Sequence, residues 1–102
     1  MTDLERQQEA ERELTAARGD LMAAIARGLD VEAFLIGPVG KYLVLRAEAE
    51  RARLLEGLAT INPQDPHAIT ALQNKIGVLD CWQQWLADAI TEGVQAQEQL
   101  VD

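Results

Sequence analysis

The sequence predicts an all-α protein built around an antiparallel helical hairpin, and three observations predict it. Ala, Leu, Glu, Gln and Arg, all good helix formers, dominate the chain. No segment alternates apolar and polar residues with the period of two that a half-buried strand needs. One clear turn, Asn62-Pro63-Gln64-Asp65-Pro66, separates two long stretches whose apolar residues recur every three and four positions. A turn this short joins antiparallel neighbours. The 102 residues are expected to make a single helical domain. An N-terminal helix or arm over 1–30 joins a hairpin over 38–92, giving a three-helix bundle or a bundle completed by oligomerisation.

The first helix is expected to start with Thr2 or Asp3 as N-cap and to run to about Arg27, with Gly28 as the residue just past its end. Leu14, Ala17, Leu21 and Ile25 share a face, with Arg18 at its edge, and Gly19-Asp20 is a point where the segment could divide. From Glu5 to Glu13 there is no large apolar residue, as expected of a segment that projects into water or waits for a partner. Asp30 is placed to cap a short helical turn through Val31–Ile36, which Gly37-Pro38 ends.

The second main helix is expected from about Pro38, a favourable first-turn residue, to Ala59. Val39, Leu43, Ala47, Leu54, Leu58 and Ile61 form one stripe, and Leu45, Ala49, Ala52, Leu55 and Ala59 form a second. Two stripes require two packing neighbours. Glu48/Arg51, Glu50/Arg53 and Arg53/Glu56 are spaced to pair along the exposed face.

Asp65 is the expected N-cap of the last helix and Pro66 its first residue. Ile69, Leu72, Ile76, Leu79, Gln83, Leu86 and Ile90 step alternately by three and four, a heptad seam interrupted at Gln83. Val78, Trp82, Trp85 and Ala89 form a second seam beside it. The candidate interface is therefore Ile69, Leu72, Ile76, Leu79, Trp82, Gln83, Trp85, Leu86 and Ile90. Trp82 and Trp85 read first as core packed against the preceding helix and second as an interface, where aromatics are enriched, and Gln83 either faces the rim or sets register or oligomeric state. The helix is expected to reach about residue 92, where Gly93 either ends it or is passed through.

Composition narrows the function. A formal charge of -8 opposes binding to phosphate backbones and to anionic membranes, and favours solubility or a basic partner. No apolar run approaches the roughly 20 residues that cross a bilayer. The polar start Met-Thr-Asp-Leu-Glu is unlike a secretory leader, and a single cysteine, Cys81, suits a reducing compartment, so a cytoplasmic protein is expected.

No motif points to catalysis, and the chain is expected not to be an enzyme and to need no cofactor. Gly37-Pro38-Val39-Gly40-Lys41-Tyr42 shares glycines and a lysine with phosphate-binding loops. It lacks their spacing, the hydroxyl residue after the lysine and the preceding strand. His67 is the one histidine, and no Glu-x-x-His pair or other fixed metal-ligand spacing accompanies it. Cys81, beside Asp80 in mid-helix, is expected to be an inert, at least half-buried thiol. Glu5, Glu9 and Glu13 line one row of the first helix. They read as a solvated face, or as an acidic surface that imitates nucleic acid and occupies a basic protein.

Gly40-Lys41-Tyr42-Leu43 with Arg46-Ala47-Glu48, the Asn62–Pro66 turn, Ala71-Leu72-Gln73-Asn74-Lys75-Ile76 and Trp85-Leu86-Ala87-Asp88-Ala89-Ile90 together resemble small helical proteins of tailed-phage and prophage genomes. The resemblance covers about residues 34–93 and leaves the N-terminal arm uncovered. It implies an oligomeric part in virion assembly or genome packaging, located in the host cytoplasm or the virion, with no catalytic residues to carry over. The expected function is that of a structural or interaction protein that associates with itself or with another protein. The alternative is the acidic inhibitor.

Overall fold

The computed structural model describes residues 2–101. They form three α-helices, α1 (Asp3–Ile36), α2 (Pro38–Thr60) and α3 (Pro66–Val101), and no strand among the described residues.

Local chemistry sets most helix ends. Thr2 and Glu5 cap α1 reciprocally: the Glu5 amide donates to Thr2 Oγ1 at 3.2 Å and the Thr2 amide donates to Glu5 Oε2 at 3.3 Å. Asp65 caps α3 through its Oδ1, which accepts from the Ala68 amide at 3.1 Å, and Pro66 follows as the first helical residue. Asn62 Oδ1 accepts from the Gln64 amide at 3.0 Å, an Asx turn that leads the chain out of α2. Gly37 separates α1 from α2 in an extended conformation, with φ -75° and ψ 164°.

Two expected boundaries are corrected. Gly28 does not follow the end of a helix. It lies buried in mid-helix, and α1 continues through the segment expected to be a separate turn, as far as Ile36. Gly93 is likewise passed through, so α3 reaches Val101 rather than about residue 92. No described glycine has positive φ, so neither residue adopts the left-handed conformation of a helix stop.

The chain divides into two compact units, to both of which α1 and α3 contribute. In the unit made by residues up to Glu32 and from Asp88 onward, the two glycines let helix backbones touch. A Cβ on Gly28 would lie 3.0 Å from the Ala89 carbonyl oxygen and 3.3 Å from Gly93 Cα. A Cβ on Gly93 would lie 3.1 Å from the Ala24 carbonyl oxygen and 3.2 Å from Gly28 Cα. Ala24 and Gly28 on α1, and Ala89 and Gly93 on α3, are thus small residues at four-residue spacing facing one another. Ala96 is the other buried contributor on α3.

In the unit made by residues 33–87, Ala47, Leu54 and Ile76 are buried. Gly57 meets the Leu72 side chain at ordinary van der Waals distance, 3.5 Å for a built Cβ. Arg51 on α2 reaches Asp80 on α3. Gly40, in the first turn of α2, is buried directly against the backbone of Phe34 and Leu35, and a Cβ there would overlap the Phe34 carbonyl oxygen. The glycines of the Gly37–Gly40 segment therefore serve a tight passage between helices.

Three alanine substitutions separate these roles, with thermal unfolding followed by circular dichroism as the measurement. Gly40→Ala must displace backbone and is expected to cost more than about 3 kcal/mol. Gly28→Ala forces two helices apart by a few tenths of an ångström and is expected to cost about 1–2 kcal/mol. Gly77→Ala points into open space in the interior of α3 and is expected to stabilise by up to about 1 kcal/mol. A destabilised Gly77→Ala or a neutral Gly40→Ala would contradict these assignments.

Candidate interaction surface

Of the residues nominated on α3, Ile76 is buried, and Ile69, Leu72, Leu79, Trp82, Gln83, Leu86 and Ile90 are half-buried. The three-and-four rhythm thus turns one ridge of α3 inward, as a ridge must when it packs against a neighbour. Ile90 lies in the unit with Gly28 and Gly93, and the others lie in the unit of residues 33–87. Trp85 stands apart: it is 67% exposed, while Trp82 is half-buried. The second seam therefore splits, because three residues along a helix is a rotation large enough to carry one tryptophan out of the packed side.

Trp85 belongs instead to an outward strip with Val78 and Cys81, spaced by three and four. Val78 is also 67% exposed, and Cys81 is exposed, contrary to the burial expected of it. On α2 the second apolar stripe, Leu45, Ala49, Ala52, Leu55 and Ala59, is exposed along its whole length, and Tyr42 lies one turn before it. Sequence periodicity required two neighbours for this helix. Within this unit the first stripe is buried or half-buried from Ala47 to Ile61 but exposed at Val39 and Leu43, and the stripe through Leu45 meets water.

Gln83, the polar interruption in the seam, carries a buried Nε2 with no hydrogen-bond partner among the described residues. A donor withdrawn from water without a partner costs on the order of 1–3 kcal/mol.

The ion pairs are peripheral. Arg51 Nε donates to Asp80 Oδ1 at 2.8 Å and Arg51 Nη2 to Asp80 Oδ2 at 3.4 Å, linking α2 to α3. This replaces the expected Glu48/Arg51 pairing. The hydrogen bond to Asp80 raises the Arg51 pKa above its ordinary value. Arg53 pairs with Glu50 as expected, Nε donating to Oε2 at 3.1 Å, and this hydrogen bond holds the Glu50 carboxyl below its ordinary value. Both pairs lie in water, which screens them, so they orient the surface more than they stabilise the fold.

Among the described residues no three His, Cys, Asp or Glu side chains gather where they could hold a metal ion. His67 is exposed at the start of α3. Among the same residues no helix is long and apolar enough to cross a membrane. A hollow of about 140 Å³ lies over the Gly28–Gly93 crossing between Ile25, Leu29, Ile90 and Val94. Comparison with family models, curated proteins and solved structures finds no match for the chain.

Sequence reasoning missed the glycine crossing, although its signal was present: small residues at Ala24/Gly28 and Ala89/Gly93 repeat the four-residue spacing of closely packed helices. Gln83→Leu removes the unpaired donor and completes the seam, so it is expected to raise unfolding stability by about 1–2 kcal/mol in urea titrations. A lowered midpoint would show that the amide has a partner which matters.

Proposed function

We propose that this chain is a non-enzymatic structural or interaction protein that assembles with copies of itself. The observation that carries the reading is the contrast between buried and exposed apolar residues. Ala47, Leu54, Ile76 and Ala96 are the buried apolar residues, and no large side chain is fully buried among the described residues. Tyr42, Leu45, Val78 and Trp85 meanwhile stand 63–67% exposed. Covering a Leu- or Phe-sized side chain stabilises by about 1.5–3 kcal/mol. Organised stripes of such residues are interaction surfaces rather than scattered surface hydrophobes.

Within residues 33–87, α2 and α3 act as an antiparallel hairpin. The Arg51–Asp80 and Gly57–Leu72 contacts support this, since their partners draw closer in sequence as they approach the Asn62–Asp65 turn. Such a hairpin has a packed inner side and two outer stripes, and copies assembled through those stripes make the oligomeric bundle. The resemblance over residues 34–93 to phage helical proteins supports a setting in virion assembly or packaging, with the chain working in the host cytoplasm or the virion.

The acidic-inhibitor reading is weaker, because Glu5 and Arg12, and likewise Arg6 and Glu13, are seven residues apart. Each arginine thus shares a helix face with the acidic row and interrupts it.

Light scattering coupled to size exclusion tests self-assembly. At micromolar concentration the mass is expected at a multiple of 11.2 kDa. Added salt is expected to tighten the association, because copies of charge -8 repel one another less when screened. A monomer at all salt concentrations would refute the reading.

A further inference from the structure

The first half of α1 is helical without being packed. Every described residue from Thr2 to Asp20 is exposed, and burial begins at Leu21. A helix with no neighbour gains little from its own hydrogen bonds and is only marginally stable in water. Leu14, 71% exposed, marks the side that lacks cover.

That side continues a seam already in use. Ala10, Leu14, Ala17, Leu21, Ala24 and Gly28 step alternately by four and three. Gly28 is buried and Leu21 and Ala24 are half-buried, in the unit where α3 supplies Ala89 and Gly93. From Ala17 back to Ala10 the same ridge is open to water. Its heptad places Leu14 and Leu21 at positions a, with Ala10 and Ala17 at positions d. Arg6 and Glu13 then occupy positions g, and Glu11 and Arg18 occupy positions e.

The charges at e and g identify an occupant. When two helices pair in parallel and in register, each g residue faces the e residue five positions further along the other helix. Arg6 then faces Glu11 of a second copy, and Glu13 faces its Arg18, and symmetry repeats both attractions. An antiparallel pairing matches g with g and e with e. Antiparallel registers that keep Ala10, Leu14 and Ala17 in the seam set Glu13 against another Glu13 or against Asp20, all acidic, and offset this only by bringing Arg6 to Asp20 or Glu11 to Arg18. Among the described residues the ion pairs are Arg51–Asp80 and Arg53–Glu50, so Arg6, Glu11, Glu13 and Arg18 have no such partner within the chain. The segment is acidic overall, yet in this arrangement Arg6–Glu11 and Glu13–Arg18 attract and no like charges face each other, Asp20 falling opposite the uncharged Ile25.

We propose that residues 3–20 of α1 pair with the same segment of a second copy, in parallel and in register, through Ala10, Leu14 and Ala17. The inference rests on the proposed self-assembly and names one surface for it. Alanine at d lets the helices approach closely, and the e and g charges set their direction.

Charge reversal in the full-length chain tests this, with sedimentation equilibrium at low salt giving the dissociation constant. Glu13→Arg or Arg18→Glu alone is expected to weaken association about tenfold, by turning attraction into repulsion at symmetric sites. The combined Glu13→Arg and Arg18→Glu variant is expected to return close to the wild-type constant. All these positions are exposed, and circular dichroism checks that helix content is kept. Direction is tested separately by Leu14→Cys in a Cys81→Ser background, where mild oxidation is expected to give a disulfide-linked dimer. If the chain associates but the single reversals leave the constant unchanged, or the double variant fails to recover it, the arm pairing is overturned while self-assembly stands. Recovery without a disulfide at position 14 overturns the parallel register. A wild-type chain that stays monomeric removes both proposals.

Discussion

Close approach of backbones, permitted by glycine and alanine, is the constraint from which the rest of this structure follows. Gly28 and Gly93 bring main-chain atoms of α1 and α3 together, and Gly40 lies against the main chain of Phe34 and Leu35. At such contacts dispersion between backbones replaces the interdigitation of large side chains. The contacts are specific in geometry, because one added methyl group has nowhere to go. They remove little apolar area from water, because there is little side chain to cover. A fold built on them has defined crossings and a thin core. The large apolar residues that a thicker core would absorb remain outside, on the second stripe of α2 and the outward strip of α3.

That division explains why the chain pairs strong local order with an incomplete interior. The capping box at Thr2–Glu5, the Asp65 cap and the Asx turn at Asn62 hold helix ends by local hydrogen bonds that need no core. The glycines in the middle of α1 and α3 weaken the helices intrinsically and are kept where packing repays that weakness. Gly19 and Gly77 are the exceptions: a Cβ at either would meet nothing within 4 Å, and the structure offers no reason for a glycine there.

Much of this architecture was legible from the residues. The helical class, the turn at Asn62–Pro66, the caps at Thr2 and Asp65, and the break at Gly37-Pro38 each depend on neighbours within four positions, and local chemistry is what sequence states directly. The end assigned at Gly28 is misplaced, and the one at Gly93 is open from sequence alone, for a physical reason. Glycine serves both as a left-handed helix stop and as a gap for an approaching backbone, and only the partner helix distinguishes the two. The candidate surface was legible as periodicity but not as direction. Ile69 to Ile90 on one ridge had to turn somewhere apolar, and Trp82 and Trp85 looked alike at three-residue spacing. A modest rotation of α3 then half-buried one and left the other in water. The Arg51–Asp80 link is 29 residues long in sequence, and no local rule prefers it to Glu48.

Charge distribution reconciles acidity with the proposed assembly. Copies of a chain carrying -8 repel at long range, so they can meet only where the local field is weak or internally matched. The outward strip of α3 meets the first condition: between Pro66 and Ala87 the charged residues are Lys75 and Asp80, which cancel. The arm of α1 would meet the second in the proposed pairing, because Arg6 and Arg18 fall where a parallel neighbour would present Glu11 and Glu13. The hydrophobic stripes supply attraction without direction, and the matched charges supply direction with little attraction. Neither suffices alone: a neutral apolar strip accepts many registers, and exposed ion pairs hold nothing together. An assembly that uses both can be specific while each copy keeps only a sparse interior of its own.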